Sequence, residues 1–123
     1  MLGQVDRKLE ACIQLPLLLG DGSIQRCEPV IDTGFTGELV LPTTFLEQIG
    51  ATRVGSSYYQ LADGTRCQLE RFEVIVLWHD IQRKVEVVGS DNESLIGMEL
   101  LIGSTITIDV EIDGKVSILP LHS

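Results

Sequence analysis

One short segment of the sequence combines residue types that can do chemistry. The segment Val30-Ile31-Asp32-Thr33-Gly34-Phe35-Thr36-Gly37 runs from apolar residues into an aspartate, followed by a threonine and two glycines. A carboxylate at the end of a buried strand is costly unless it is paired or hydrogen-bonded, and carboxylates can act as general acids or bases. The glycines let the backbone turn tightly and let another chain approach closely. The tripeptide Asp32-Thr33-Gly34 alone predicts only a strand end and a turn.

A second segment lies about 65 residues further along the chain. Leu95, Ile96 and Gly97 give a short apolar strand followed by a glycine, and residues 98–101 have the pattern of a helical turn. Between the two segments, Asp63-Gly64 marks the tip of a hairpin. In this order the landmarks resemble those of the retropepsin-like aspartic proteases. The Ile-Asp-Thr-Gly-Phe-Thr-Gly form resembles the small single-lobe clan AA members of bacteria and archaea, and the resemblance covers roughly residues 11–110.

The resemblance implies a fold and an activity. The fold is all-β: a single-lobe acid-protease domain over residues 1–123, with a closed β-barrel and one or two short helices. The activity is that of an aspartic endopeptidase, in which two carboxylates share one proton across a bound water. Two unit charges about 3 Å apart repel by ~5–6 kcal/mol at an effective dielectric of ~20, so one carboxyl stays protonated. The chain has one Asp-Thr-Gly, so the second Asp32 is expected from a second copy on a two-fold axis.

The resemblance also implies a role for each matching residue. Asp32 of one chain would act as a general base on water, and Asp32 of the other would protonate the scissile carbonyl. The hydroxyl of Thr33 would join the two loops across the axis, and the carbonyl of Gly34 would accept a substrate N–H. Beneath the loop would pack Leu95, Ile96 and Gly97. A flap would close over the peptide and exclude water, with its tip at Ala62, Asp63, Gly64 and Thr65.

Three positions depart from the family pattern. Retroviral members usually carry Arg after the glycine of the second segment, where this chain has Met98, and the usual acidic partner of that Arg is here Thr36. Both halves of the pair are absent together, so no orphan charge remains. Phe35 stands where Ala or Ser is commoner, and its bulk is expected to narrow the pocket beside Asp32. The alternative function is a non-catalytic retropepsin-fold module that binds a peptide or dimerises.

The elements that position these residues are predicted to be short strands. Three Asp-Gly pairs lie between apolar or alternating stretches, which is the strongest short-range signal of a hairpin. The pairs are Asp21-Gly22, Asp63-Gly64 and Asp113-Gly114. They are expected to join residues 11–19 to 24–31, 58–61 to 65–77, and 105–112 to 115–119. One face of the strand over 105–112 would carry Ile106, Ile108, Val110 and Ile112.

Further strands and two helices complete the prediction. Residues 72–77 and 81–88 are apolar, with a corner expected at Trp78-His79-Asp80. Thr43 or Thr44 is expected to cap a short helix over residues 45–49, closed by Gly50. A second short helix is expected over residues 98–102, ended by Gly103. Short strands at this spacing favour an all-β barrel or sandwich over alternating β/α units.

Length, charge and hydropathy exclude several classes of protein. A chain of 123 residues with 44% hydrophobic residues is one domain's worth and is not intrinsically disordered. Nine basic and eighteen acidic residues leave a net charge of −9. Nucleic acids and anionic membranes bind basic faces, so neither is expected as a partner. The expected partners are a second copy of the chain and a peptide or protein substrate.

The cysteines and the N-terminus favour a cytoplasmic protein. Cys12, Cys27 and Cys67 are odd in number and form no C-x-x-C pair, so we expect buried small hydrophobic residues in a reducing compartment. No apolar run approaches the roughly 18 residues of a membrane span, and the N-terminus lacks the pattern of a secretory signal. His79 and His122 have neither metal-ligand spacing nor the context of a base for a thiol. No metal or cofactor is expected.

Overall fold

The computed structural model describes residues 1–60 and 62–121, and most of them lie in β-strands. Twelve strands of these residues form one hydrogen-bonded sheet. In chain order they are β1 (Leu2–Val5), β2 (Ala11–Ile13), β3 (Leu15–Leu18), β4 (Ile24–Cys27), β5 (Val30–Ile31), β6 (Leu39–Pro42), β7 (Thr52–Gln60), β8 (Arg66–Trp78), β9 (Ile81–Ser90), β10 (Leu95–Ile96), β11 (Ser104–Ile108) and β12 (Lys115–Pro120). The helices are α1 (Thr43–Gln48) and α2 (Met98–Leu101). The prediction of an all-β fold with short helices is confirmed.

The strand order shows where the sheet begins and ends. Along the sheet the order is β11-β12-β1-β2-β5-β10-β6-β9-β8-β3-β4, and β7 pairs with β8 as a branch. Within residues 1–60 and 62–121 the terminal strands, β11 and β4, do not pair with each other. The closed barrel that the resemblance implied is therefore corrected, because backbone hydrogen bonds do not close this sheet. Both terminal strands are short and largely exposed, although Cys27 of β4 and Ile106 of β11 pack against the core.

Two of the Asp-Gly turns lie where the sequence predicts them. Asp21-Gly22 connects β3 to β4, and Asp63-Gly64 connects β7 to β8, each as an antiparallel pair. The second hairpin is longer than predicted, because β7 begins at Thr52. The predicted strand over residues 58–61 ends at Leu61, which lies outside the described residues.

The corner between residues 78 and 81 is also confirmed. β8 and β9 are antiparallel, with Trp78 opposite Ile81, so His79 and Asp80 alone form the turn. Their φ angles are 52° and 64°, which is the left-handed backbone that the favoured two-residue hairpin turn needs at both positions.

The third Asp-Gly pair gives a different result. The prediction of one strand over residues 105–112 is wrong, because β11 stops before Val110 and Ile112, which are 78% and 53% exposed. The backbone of residues 109–114 forms turns and bonds to the end of β1 instead. The N–H of Val5 donates to the carbonyl of Gly114 at 2.9 Å. A Cβ on Gly114 would lie 1.8 Å from the carbonyl oxygen of Asp109, so the tight turn over residues 109–114 needs glycine at this position.

Two predicted strands are each divided in the structure. The stretch over residues 11–19 becomes β2 and β3, because β2 pairs with β1 and β5 whereas β3 pairs with β4 and β8. The chain changes partners at Gln14. The stretch over residues 24–31 becomes β4 and β5, separated by Glu28 and Pro29. Proline has no N–H to donate to a ladder, which explains the interruption.

Both helices are present, but α1 starts differently from the prediction. It begins at Thr43, with Pro42 in the capping position and no side-chain cap. The predicted cap by Thr43 or Thr44 is wrong, because both residues lie inside the helix. After the helices come Gly50 and Gly103, with φ of 70° and 85°, the left-handed conformation in which glycine commonly ends a helix.

The core is formed by aliphatic side chains from strands throughout the sheet and from both helices, with two aromatic rings. Its members are Val5, Ile13, Leu15, Leu17, Leu39, Leu41, Leu46, Phe72, Val74, Val76, Trp78, Val85, Val87, Ile96, Leu100, Leu101, Val116 and Ile118. Among the described residues no polar or charged residue is fully buried. The polar groups of any functional site must therefore lie at the border of this core.

Truncating Leu39 tests the central part of the core. Leu39 is fully buried in β6, between β10 and β9, so Leu39→Ala leaves a cavity and is expected to lower the free energy of unfolding by about 2–5 kcal/mol. Urea denaturation measures the loss. The matched control is Ile24→Ala on the terminal strand β4, where the side chain is 49% exposed and the expected loss is below about 1 kcal/mol. Equal losses in the two variants would contradict the strand order.

Candidate active site

Asp32 lies directly after β5, where two parallel strands end side by side. β5 and β10 pair in parallel, with Val30 opposite Leu95 and Ile31 opposite Ile96. The backbone N–H of Asp32 donates to the carbonyl of Ile96 at 2.9 Å. This bond continues the ladder by one residue and fixes the start of the loop over residues 32–38, which we call the Asp32 loop.

The side chain of Asp32 bonds within its own turn. Its Oδ1 accepts the backbone N–H of Gly34 at 2.9 Å, and its backbone carbonyl accepts the N–H of Phe35 at 3.2 Å. Asp32 is half-buried, whereas Thr33 and Gly34 are exposed. The loop therefore presents one carboxylate, one hydroxyl and one glycine backbone at the surface.

This turn hydrogen bond is not special to Asp32. Oδ1 of Asp21 accepts the N–H of Ser23, and Oδ1 of Asp63 accepts the N–H of Thr65, each at 2.9 Å. The pKa of the Asp21 carboxyl lies below the usual aspartate value, chiefly because this carboxyl also accepts a hydrogen bond from the Ser23 hydroxyl. The pKa of the Asp63 carboxyl is lowered chiefly by the hydrogen bond from the Thr65 backbone. Both aspartates are exposed at hairpin tips. What distinguishes Asp32 is its half-buried place at the end of the parallel strand pair.

Gly97 is the point where the Asp32 loop meets the start of α2 in direct backbone contact. The N–H of Gly97 donates to the carbonyl of Glu38 at 3.0 Å, and the N–H of Met98 donates to the carbonyl of Phe35 at 2.8 Å. A Cβ on Gly97 would lie 2.1 Å from the carbonyl oxygen of Gly37 and 2.6 Å from the Phe35 ring. Glycine is therefore needed here for close approach.

Phe35 packs its ring against the glycines of the site. A Cβ on Gly37 would lie 2.5 Å from Cζ of Phe35, and the same ring also lies against Gly97. Phe35 is half-buried and its neighbour Thr36 is exposed. The bulky ring therefore fills the space between the loop and α2.

A groove of about 800 Å³ opens beside Phe35 of the Asp32 loop, and its lining does not include Asp32, Thr33 or Gly34. Phe35 and Leu95 contribute to it from the loop and β10, residues 67–70 from β8, and residues 88–93 from the end of β9 and the turn after it. Its carboxylates belong to Glu47, Glu70, Asp91 and Glu93. Binding pockets in proteins commonly measure roughly 300–1,000 Å³, so the groove is large enough for several side chains of an extended peptide.

Sequence reasoning missed the part of the groove formed by residues 88–93. These residues carry no motif. They come beside Leu95 and Val40 because β9 pairs in parallel with β6, which in turn pairs with β10. Such pairing between distant segments leaves no local signal that could have revealed them.

The predicted flap tip lies at the end of the β7–β8 hairpin. Its four residues are all exposed: Ala62, Asp63, Gly64 and Thr65. Within the described part of the chain the tip bonds to itself, through Asp63 and Thr65, and makes no hydrogen bond to the Asp32 loop. From the tip, β8 leads directly into the wall of the groove at residues 67–70.

The three cysteines differ in environment. Desolvation raises the pKa of the Cys12 thiol to about 11, with the nearby Asp6 carboxylate adding to the effect. Burial also raises the pKa of Cys27, to about 12. Cys67 is exposed on β8 and lines the groove, so the expectation of burial is wrong for this residue. The part of β8 near the flap tip has no element covering it.

The two histidines differ in whether the structure describes them. Nε2 of His79 lies 3.0 Å from Oγ of Ser104, and burial lowers the pKa of this imidazole. His122 lies outside the described residues. Residues 1–60 and 62–121 contain no group of three or more His, Cys, Asp or Glu side chains arranged to bind a metal ion. In the same residues, neither helix is long and apolar enough to cross a membrane.

Comparison with solved structures finds proteins of similar fold. The crystal structure of a retropepsin-like aspartic protease from Rickettsia conorii superposes with a TM-score of 0.58 and 16% sequence identity, over 97% of this chain and 87% of that chain. The fold is similar to that of a retropepsin-like aspartic protease. No family model matches the sequence, and no curated protein matches it. At this level of identity the likeness establishes the fold.

Alkylation of the cysteines tests the environments described above. At pH 8 we expect iodoacetamide to modify Cys67 first, because pKa values of about 11 and 12 leave only about one thiol in 10³ to 10⁴ ionised at Cys12 and Cys27. Peptide mass spectrometry over time measures the three rates, and Cys67→Ser should remove the fast phase. In urea all three cysteines should react at similar rates. Equal rates in the folded protein would contradict the partial burial of Cys12 and Cys27.

Proposed function

We propose that this protein is a homodimeric aspartic endopeptidase whose active site pairs Asp32 of one copy with Asp32 of a second. The observation that carries the proposal is the position of Asp32. It is half-buried directly after β5, joined to Ile96 and Gly34, in a fold similar to that of a retropepsin-like aspartic protease. Asp21 and Asp63 make the same turn hydrogen bond, but they are exposed at hairpin tips and do not follow a parallel strand pair.

The need for a second copy follows from the chemistry. Aspartic proteolysis needs an acid and a base at the same water, and the sequence contains one Asp-Thr-Gly. Two carboxylates in hydrogen-bond range cannot readily both be ionised, so one keeps its proton and serves as the acid while the other serves as the base. A symmetric dimer provides this pair from two identical loops. Thr33, exposed beside the carboxylate, would join the loops across the axis.

The proposed reaction moves protons between the carboxyl pair, a water and the peptide. The ionised Asp32 takes a proton from water as the water oxygen bonds to the scissile carbon, and the protonated Asp32 gives its proton to the carbonyl oxygen. The newly protonated carboxyl then donates to the nitrogen, the other carboxylate takes a proton from a hydroxyl of the tetrahedral intermediate, and the C–N bond breaks to give an amine and a carboxylic acid. Each carboxyl group would act from its position directly after β5.

The proposed substrate is an extended peptide in the groove, between the flap tip and the Asp32 pair. The exposed backbone of Gly34 would accept an N–H from the peptide, and residues 62–65 would close over it and exclude water. The apolar side chains Phe35, Leu69 and Leu95 in the groove suit apolar substrate side chains. The net charge of −9 makes nucleic acid an unsuitable partner.

Substituting Asp32 tests the catalytic assignment. Asp32→Asn keeps the size of the side chain and an oxygen that can accept from Gly34, but it cannot exchange a proton with water. We expect peptide cleavage to fall by a factor of about 10²–10⁴, while the free energy of unfolding changes by less than about 1 kcal/mol. Cleavage of a quenched fluorescent peptide library between about pH 4 and 7 measures the first, and urea denaturation the second.

The matched control is Asp21→Asn, which alters an identical turn hydrogen bond away from the site. This variant should cleave peptides at the wild-type rate. Activity that survives Asp32→Asn would overturn the enzyme assignment. A folded wild-type dimer without activity would support the non-catalytic peptide-binding or dimerisation module.

Dimerisation should depend on salt and pH. Each chain carries a formal charge of −9 at pH 7, so two copies bring together twice −9, about −18. Salt screens this repulsion, with a Debye length that falls from about 30 Å at 0.01 M to about 10 Å at 0.1 M. We expect the dimer dissociation constant, measured by analytical ultracentrifugation, to fall with added salt and between pH 7.5 and 5. Tighter association at low salt would contradict a dimer limited by charge repulsion.

A further inference from the structure

A partly buried ion pair lies at the C-terminal end of the Asp32 loop. Oε2 of Glu38 lies 3.3 Å from Nη2 of Arg83, and the side chains are only 19% and 35% exposed. Glu38 follows Gly37 at the end of the loop, whereas Arg83 lies on β9, 45 residues further along the chain. The pair therefore joins the loop to a distant strand.

Each side chain makes a second contact that fixes its position. Oε1 of Glu38 accepts the backbone N–H of Glu86 at 3.2 Å, so both carboxylate oxygens bond to β9. Nη1 of Arg83 lies 3.4 Å from the carbonyl oxygen of Leu100, near the end of α2. The backbone carbonyl of Glu38 accepts the N–H of Gly97 at 3.0 Å. Three elements thus meet at this pair: the Asp32 loop, β9 and α2.

The other ion pairs of the described residues join different elements. Arg53 and Glu70 connect β7 to β8, with side chains 55% and 39% exposed. Arg71 and Glu86 connect β8 to β9, with side chains 32% and 49% exposed. Arg71 and Arg83 are about equally exposed, so the difference lies in the carboxylates, of which Glu38 is the least exposed. Exposed pairs contribute little to stability. Losing one partner of a pair with low exposure has a larger effect, because the remaining charge loses its counter-ion and its hydrogen bond.

We infer that Glu38 and Arg83 are positioning residues for Asp32, an inference that rests on the proposed function. The loop is fixed at its start by the bond between Asp32 and Ile96. The pair with Arg83, together with the bond from Gly97, fixes its end. Two carboxylates that must share a proton across a dimer axis tolerate little displacement, and misplacements of about 1 Å can cost a hundredfold in rate.

The inference makes a specific prediction for kinetics. The polar atoms of the Glu38 and Arg83 side chains bond to each other and to the backbone of Glu86 and Leu100, and neither residue lines the groove, so their loss should leave substrate binding nearly unchanged. We expect Glu38→Gln and Arg83→Gln each to lower kcat by about tenfold or more while KM stays within about twofold. Arg83→Lys keeps the charge and should recover part of kcat. A rise in KM with unchanged kcat would overturn the inference.

A second measurement does not depend on peptidase activity. Amide hydrogen exchange, followed by NMR, reports local opening of the loop separately from global unfolding. In Glu38→Gln we expect the amides of Gly97 and Met98 to exchange about tenfold to a hundredfold faster than in the wild-type protein. The core amides of Val76 and Val85 exchange through global unfolding, so their exchange rates should change only as much as the global unfolding equilibrium does. Exchange that accelerates equally at all four amides would show a merely structural role and would overturn the inference.

The matched control is Arg53→Gln, which removes an ion pair of the same 3.3 Å length that joins only the two strands of one hairpin. It should change neither kcat nor the exchange of Gly97 and Met98. If Glu38→Gln does not fold, Arg83→Gln removes the other partner of the same pair and gives the same exchange readout. If the wild-type protein cleaves no peptide, the proposed function fails, and the exchange of Gly97 and Met98 still decides whether the pair fixes the loop.

Discussion

The parallel pairing of β5 with β10, completed by the contact between Gly97 and the Asp32 loop, determines where the carboxylate lies. Parallel strands end at the same edge, so the residues after Ile31 and Ile96 emerge side by side. Gly97 has no side chain, and the backbone of the loop can therefore approach it closely. A larger residue would displace the loop and, with it, the bond between Asp32 and Ile96.

The same strands also build the surroundings of the loop. β10 pairs with β6, and β6 pairs in parallel with β9, which brings the end of β9 to the groove and places Arg83 within reach of Glu38. The ion pair of this chain begins at Glu38, two residues after Thr36. Carboxylate, groove and ion pair all follow from the strand order β5-β10-β6-β9.

The sequence was sufficient for features that depend on neighbouring residues. The turns at Asp21-Gly22, Asp63-Gly64 and His79-Asp80, both short helices and the all-β class could be predicted, because turn chemistry and alternation are local signals. The sequence did not predict the features that depend on contacts between residues far apart in the chain. The chain changes partners at Gln14, and residues 109–114 bond to Val5. Arg83 and residues 88–93 reach the site through strand pairing alone, so no spacing along the sequence indicates them.

The open ends of the sheet have a consequence for the behaviour of the protein in concentrated solution. A terminal strand presents unpaired N–H and C=O groups to which a strand of another molecule can add. β4 carries Arg26, a charge that discourages such addition, whereas β11 reads Ser-Thr-Ile-Thr-Ile and has none. The net negative charge of the whole chain is therefore what keeps β11 of one molecule from pairing with β11 of another and forming fibrils. The charge that would oppose the proposed dimerisation is also the one that preserves colloidal stability.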